Sequence, residues 1–279
     1  MVKISTLLLA KDEEANLPRC LEALRWCDDV VLVDDYSSDA TATIATDFGA
    51  RVAQRHFDSF ASQRNWALAE LGFEHGWVLH LDADEVCTPD LVAEMVSAIS
   101  SDRFLAYRIP SKMMFEGHWL RHAATYPAYQ VRLGRNPGLR FVQVGHGQRE
   151  DLDQSVVGTL ESAYLHYSFA KGLDDWFSKH NRYAAHEAQA AVEYCQRNEL
   201  TVATILALGR SAERRRALRE LSYRLPFRPL LRFFYMYILR LGLLDGRRGL
   251  VYCRLLAMYE YLITLKMREL RLRGRGGQL

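Results

Sequence analysis

The sequence predicts an α/β fold: a mostly parallel sheet with helices on both faces, followed by a C-terminal helical extension. Three observations predict it. Apolar strand-like runs alternate with helix-period segments over the first hundred residues, the pattern of a parallel sheet covered on both sides. Carboxylates gather where these runs end: Asp12, Glu13 and Glu14, then Asp34 and Asp35, then Asp82, Asp84 and Glu85. After Gly172 the pattern is helical throughout.

Ile4 to Ala10 is an apolar strand, and a helix follows from Leu17 to about Trp26, with Pro18 in its first turn, where a missing N–H costs little. Val30 to Asp34 is a second strand. Ser37, Ser38 and Asp39 are capping residues for a helix from Ala40 to Phe48, and Gly49 closes it. Ala50 to Arg55, Phe60 to Leu71 and Trp77 to Asp82 complete the alternation as strand, helix and strand. The first strand is followed by K-D-E-E rather than G-x-G-x-x-G, which argues against a dinucleotide fold. From Leu105 to Tyr167 shorter strand-like pieces are broken by Gly and Pro, the kind of loop region where acceptor sites sit. Helices are then expected near 173–197, 200–222, 228–242 and 247–270, before a Gly/Arg-rich end, Arg271 to Gly277, with the composition of a disordered tail. The natural division is residues 1–170 for the α/β domain and 171–279 for a basic helical extension.

The 279 residues are 49% hydrophobic and 25% charged, ordinary for a globular protein. Cys20, Cys27, Cys87, Cys195 and Cys253 form no C-x-x-C pair, which points away from a disulfide framework or zinc site and toward a reducing compartment. There is no secretory signal pattern and no apolar run of the roughly 18 residues needed to span a bilayer. The net charge of +2 hides a segregation: residues 1–209 hold 19 Lys+Arg against 29 Asp+Glu, residues 210–279 hold 17 against 5. The basic part is expected to face something anionic.

W-V-L-H-L-D-A-D-E, Trp77 to Glu85, is the most informative stretch. Open α/β sheets bind ligands at the carboxyl ends of their strands. Two carboxylates there can share Mg²⁺ or Mn²⁺ with a substrate diphosphate. The same acids also suit the start of a helix at Thr88-Pro89-Asp90. All three acidic clusters fall at strand ends that converge on one crevice, where excess carboxylate needs a cation or donors to compensate it.

In order along the chain stand I-S-T-L-L-L-A-K-D-E-E-A-N-L (4–17), V-V-L-V-D-D-Y-S-S-D-A-T (30–41), A-S-Q-R-N-W-A-L (61–68) and L-H-L-D-A-D-E (79–85). F-E-G-H-W-L (115–120), Y-P-A-Y-Q-V-R-L (126–133), L-H-Y-S (165–168), K-H-N-R-Y (179–183) and G-L-L-D-G (242–246) follow. Together they resemble the family-two glycosyltransferases of GT-A fold, within them the branch of lipopolysaccharide-core glucosyltransferases. The resemblance implies that Ala10, Glu13 and Asp34 or Asp35 line a uridine pocket, and that Arg64, Asn65 and Asp82 face the nucleotide. It implies that Asp82 and Asp84 hold Mg²⁺ or Mn²⁺, and that the sugar is transferred with inversion from a nucleotide-sugar, a UDP-sugar first of all, to a cell-envelope glycan or glycolipid.

Inversion requires a base to take the acceptor proton. Where the branch carries V-H-E, this chain has V-G-H-G-Q-R-E, Val144 to Glu150, so the base is His146 or Glu150; the family's usual carboxylate favours Glu150. Tyr36 replaces the glycine of the relatives' D-x-G-S-x-D. Arg132 is a candidate for acceptor or phosphate contact, whereas His166 and Tyr167 read as packed strand residues. Aromatics and leucines interleave with arginines between Pro229 and Lys266, which suits an anionic membrane surface; a packed hairpin with solvated arginines has the same composition. None of the standard nucleic-acid motifs is present. The expected location is cytoplasmic, peripheral to the inner face of the cell membrane. Two rival readings remain. A nucleotidyltransferase would normally carry a Gly-rich phosphate loop and lysine after the first strand. A catalytically silent scaffold binding nucleotide or membrane is favoured only by the altered V-G-H-G-Q-R-E.

Overall fold

The computed structural model describes residues 3–101, 103–144, 147–197, 223, 225 and 227–274. It divides into two compact units: residues 1–121 with 125–172, and residues 122–124 with 173–279.

The first unit is built on one sheet. Strands β1 (Ser5–Ala10), β2 (Val30–Asp34), β3 (Arg51–Gln54) and β4 (Trp77–Asp82) run parallel in the order β3-β2-β1-β4. In register, Ala10 lies opposite Asp34 and Leu9 opposite Asp82, so the ends of β2 and β4 flank the end of β1. Beyond β4 the sheet turns mixed. β8 (Ala128–Arg135) is antiparallel to β4 and to the long β6 (Ala106–Phe115). β12 (Tyr164–His166) runs parallel to β6 and antiparallel to the two-residue β5 (Glu85–Val86). β7 (His118–Trp119) and β11 (Val157–Thr159) add to β6, while β9 (Phe141–Val144) and β10 (Gly147–Glu150) form a separate hairpin. The expected parallel sheet is thus its first four strands.

Alternation along β1 explains the two apolar layers. Leu8 packs on one face with Leu17 and Leu21 of α1 (Leu17–Glu22), Ala45 of α2 (Thr41–Phe48), and Leu91 and Met95 of α4 (Pro89–Ser100). Leu7 points to the other face, with Ala61, Ala67 and Leu68 of α3 (Phe60–Glu70) and Phe141. Both faces are buried, which is why these strands read as continuous apolar runs. Local chemistry sets the helix ends. Ser59 and Thr88 accept from Ser62 N and Leu91 N, Asp39 accepts from Thr41 N at 3.0 Å, and Gly49 ends α2 at φ 98°.

The second unit is helical. In α5 (Gly172–Arg197) Ala184, Ala188 and Ala191 recur at helical spacing and pack on Ile263 and Met267 of the last long helix, here α7 (Gly246–Arg273). The single helix expected over 228–242 is instead three short pieces: α6 (Arg228–Phe234), a π-turn over Tyr235–Leu239 and a 3₁₀ turn over Gly242–Asp245. The break comes at Leu241, whose φ of 60° a continuing helix does not allow. The helix expected near 200–222 lies outside the described residues, as do His146 and the end beyond 274. No helix among the described residues is long and apolar enough to cross a membrane.

Candidate active site

The carboxyl end of β4 is held by a buried ion network. Asp82 Oδ1 accepts from Arg64 Nη2 of α3 at 2.6 Å, and its Oδ2 accepts from Arg132 Nη2 of β8 at 2.9 Å. The same Arg132 nitrogen donates to Glu85 Oε1, and Glu85 Oε2 accepts from the Asp82 backbone N–H at 2.9 Å. Arg64, Arg132 and Glu85 are at most 3% exposed, so each charge depends on the others for its stability. Burial works against ionised Asp82, but Arg132 and Arg64 outweigh it and hold the carboxyl well below its usual range. Burial dominates at Glu85 and raises it, despite Arg132.

In front of this network stands a second pair. His166, at the end of β12, lies opposite Glu85 of β5, which brings its Nε2 to 3.3 Å from Asp84 Oδ2. Burial disfavours the imidazolium, but the hydrogen bond to Asp84 and the charges of Asp84, Glu85 and Asp82 outweigh it and raise His166 to about 9. A pocket of about 390 Å³ opens here, lined by Arg64, Asp82, Arg132 and His166 together with Gln148, Arg149 and Glu150 of the hairpin. Glu150 Oε1 accepts from Gln154 Nε2 at 2.8 Å. Its neighbouring carboxylates, Asp82 and Glu85, are tied to arginine instead.

A model of the family described as glycosyl transferase family 2 matches residues 5–152. The chain belongs to that family. This family-2 glycosyltransferase is 25% identical over 287 residues to an uncharacterized glycosyltransferase of Rickettsia typhi, covering 99% of this chain and 90% of the relative. It is 28% identical over 207 residues to the lipopolysaccharide core biosynthesis glycosyltransferase LpsC of Rhizobium meliloti, covering 68% and 72%. Among solved structures, S. aureus TarS 1-349 in complex with UDP-GlcNAc is 14% identical at a TM-score of 0.44, with 99% of this chain and 92% of that one covered.

In this glycosyltransferase the expected site residues divide. Arg64, Asp82 and Glu150 line one pocket together with His166, which the sequence suggests only as a packed strand residue, and Asp84 pairs with that histidine. Ala10, buried at the end of β1, accepts from Asp35 N at 3.0 Å. Of the two candidates at the end of β2, Asp34 is fully buried and anchors a turn. Its oxygens accept from Ser37 N at 3.1 Å, Ser37 Oγ at 2.5 Å and Gln54 Nε2 at 3.1 Å. Asp35, by contrast, accepts from Phe57 N at 3.0 Å and remains part-exposed.

Much of the acidity after β1 also serves turns. Asp12 Oδ1 accepts from Ser38 N at 2.7 Å, and Glu14 Oε2 accepts from Ala40 N at 3.1 Å. Glu13 pairs with Lys171 at 2.6 Å, though burial still raises its carboxyl. Asn65 is a correction. Its amide donates to Phe141 O at 2.8 Å and accepts from Phe141 N at 2.9 Å, so it pins β9 rather than facing a nucleotide. Asp82, expected to share a metal with Asp84, accepts one arginine hydrogen bond on each oxygen in this structure and still lines the pocket.

Among the described residues no group of three or more His, Cys, Asp or Glu could hold a metal by itself. The carboxylate–imidazole pair Asp84 and His166 does fit a divalent cation shared with substrate oxygens, since such ions keep ligand positions for phosphate and water. His166, which reads from the sequence as a packed strand residue, is the one that local pattern misses: it lies in a three-residue strand, 82 positions from Asp84.

Proposed function

We propose that this glycosyltransferase moves a sugar from a UDP-sugar, with inversion, to a saccharide of the lipopolysaccharide core or a related cell-envelope glycan. The observation that carries the reading is the position of Glu150 in one pocket with Arg64, Asp82 and His166. An acceptor hydroxyl bound there gives its proton to Glu150 as its oxygen forms a bond to the anomeric carbon. The bond from that carbon to the diphosphate breaks on the opposite side and its electron pair leaves with UDP. Asp82 and Glu85 share Arg132 and Asp84 is paired with His166, whereas Glu150 is held by Gln154. This supports assigning the base to Glu150 rather than to His146, which lies outside the described residues, and a single displacement inverts the centre.

Asp84 and His166 would hold Mg²⁺ or Mn²⁺, which supplies positive charge to the departing diphosphate. Arg64 and Arg132 keep the Asp82 backbone fixed so that Asp84 projects from a rigid edge, the preorganisation such charge stabilisation needs. The relationship to an enzyme of lipopolysaccharide core biosynthesis supports the acceptor class. A lipid-borne acceptor places the enzyme at the inner face of the membrane.

The test is turnover of a panel of UDP-sugars with Mn²⁺, with and without delipidated core oligosaccharide. Glu150→Gln is expected to bind UDP as the parent does and to lose transfer by about 10²–10⁴-fold, the usual worth of a positioned base. Wild-type rates in that variant, or retention of anomeric configuration in the product, would overturn the assignment.

A further inference from the structure

The segment Phe227–Leu244 in the helical unit turns its apolar stripe outward. Phe227, Leu230, Phe234, Ile238 and Leu241 recur at three- or four-residue spacing through α6 and the π-turn, and all are exposed, Phe227 by 74% and Phe234 by 57%. Leu239, beside Ile238, is 75% exposed, whereas Met236, on the other side of the turn, is buried. Such a stripe is ordinarily the face a helix buries. An outward patch of this kind on a monomer marks a surface with a partner.

Charge identifies the partner. From Phe227 to Arg248 there are five arginines, at 228, 232, 240, 247 and 248, and one acid, Asp245. Arg228 pairs with Glu260 of α7 at 2.7 Å, so the positive excess rests on the other four, of which Arg247 is exposed. Asp245 is occupied within the fold: its Oδ2 accepts from His122 N at 2.9 Å and Ala123 N at 2.6 Å. A second copy would bring arginine against arginine, which is unfavourable. An anionic bilayer satisfies both features, with apolar side chains at the acyl boundary and guanidinium groups among phosphates. Since no described helix can span, the segment lies in the interface.

We propose that Phe227–Leu244 seats the enzyme on anionic lipid, the stripe through Leu230, Phe234 and Ile238 entering the headgroup region. The inference deepens the reading above only in taking the acceptor to be lipid-borne, and it is tested without any transfer reaction. The full chain is floated with vesicles of phosphatidylcholine alone and with vesicles of phosphatidylcholine mixed with phosphatidylglycerol. Flotation is expected with the anionic vesicles and at least about tenfold weaker with the neutral ones. The double variant L230E/L239E is expected to lose vesicle binding at least about tenfold. Its circular dichroism and its hydrolysis of UDP-sugar in vesicle-free buffer should stay unchanged, since both side chains face solvent. Three results would overturn the proposal: no flotation of the parent with anionic vesicles, equal flotation of the variant, or a parent dimer that L230E/L239E dissolves, which would give the face to a second copy. Failure of UDP-sugar hydrolysis with normal flotation would count against the catalytic reading instead.

Discussion

His166 Nε2 stands 3.3 Å from Asp84 Oδ2, and the pairing of β12 with β5 is what puts it there. If the two hold a cation together with the donor diphosphate, His166→Ala should weaken Mn²⁺ binding in the presence of UDP. A loss of about 10–100-fold is expected, the range seen when the support of a metal site is altered. Asp84→Asn should lose more. Mn²⁺ titration followed by electron paramagnetic resonance reads this directly. Unchanged affinity in both variants would remove the metal from this pair.

That relationship also shows where sequence reading stops. Strands Val30–Asp34 and Trp77–Asp82 are delimited as expected, and the β1, α2, α3 and α7 boundaries differ by a few residues, because apolar period, caps and closing glycines are all local signals. The pairing of His166 with Glu85 joins residues 81 apart through a two-residue strand, and no local period encodes it. Arg132 was recognisable as a candidate, but its role between Asp82 and Glu85 depends on β8 entering the sheet antiparallel beside β4. Asn65 looked like a nucleotide contact because it follows Arg64. Successive helix residues face different ways, and Asn65 points to β9 instead. The composition between Pro229 and Lys266 suits either an anionic membrane surface or a packed hairpin, and it is the structure that shows Phe227, Leu230, Phe234 and Ile238 facing out.

Arg132→Ala leaves buried Glu85 and half-buried Asp82 with one cation fewer. Removing one partner of a buried ion network costs about 3–5 kcal/mol, so urea denaturation should show a loss of that size. Arg132→Lys should recover part of it, since a single ammonium replaces the guanidinium fork poorly. A loss below about 1 kcal/mol for the alanine variant would place Arg132 at a solvated surface instead.

Asn65→Leu removes both hydrogen bonds to Phe141. An unsatisfied buried backbone group costs about 1–3 kcal/mol, so a drop in stability of that order is expected. Phe141 is the register partner of Glu150, so the variant should also displace the base. Turnover should fall with KM for the UDP-sugar nearly unchanged. A rise in KM with kcat intact would instead return Asn65 to the nucleotide.

Tyr36 adopts φ 51° and packs against His56 with ring centroids 4.2 Å apart and the planes tilted by 31°. Glycine tolerates this left-handed backbone and alanine does not, at a difference of about 1 kcal/mol. Tyr36→Gly and Tyr36→Ala both lose the ring, so comparing them isolates the backbone. The glycine variant should be the more stable by about that amount in urea. Equal stability would show that the turn relaxes out of the left-handed region.

Gly249 of α7 approaches Gly242 so closely that a Cβ on Gly249 would lie 2.1 Å from Gly242 O and 2.9 Å from Asp245 Cβ. A backbone carbonyl held in a 3₁₀ turn has little room to retreat, so Gly249→Ala must shift the Gly242–Asp245 turn or the start of α7. Overpacking of this kind costs about 1–3 kcal/mol and sometimes more, and a displaced Asp245 would also release the His122 and Ala123 amides. Gly76→Ala is the control: it has no positive φ and nothing lies within 4 Å of the added atom, so it should cost less than about 0.5 kcal/mol. Denaturant melts ranking Gly249→Ala well below Gly76→Ala would establish the close approach, and equal stability would show that Gly249 and Gly242 do not meet in solution.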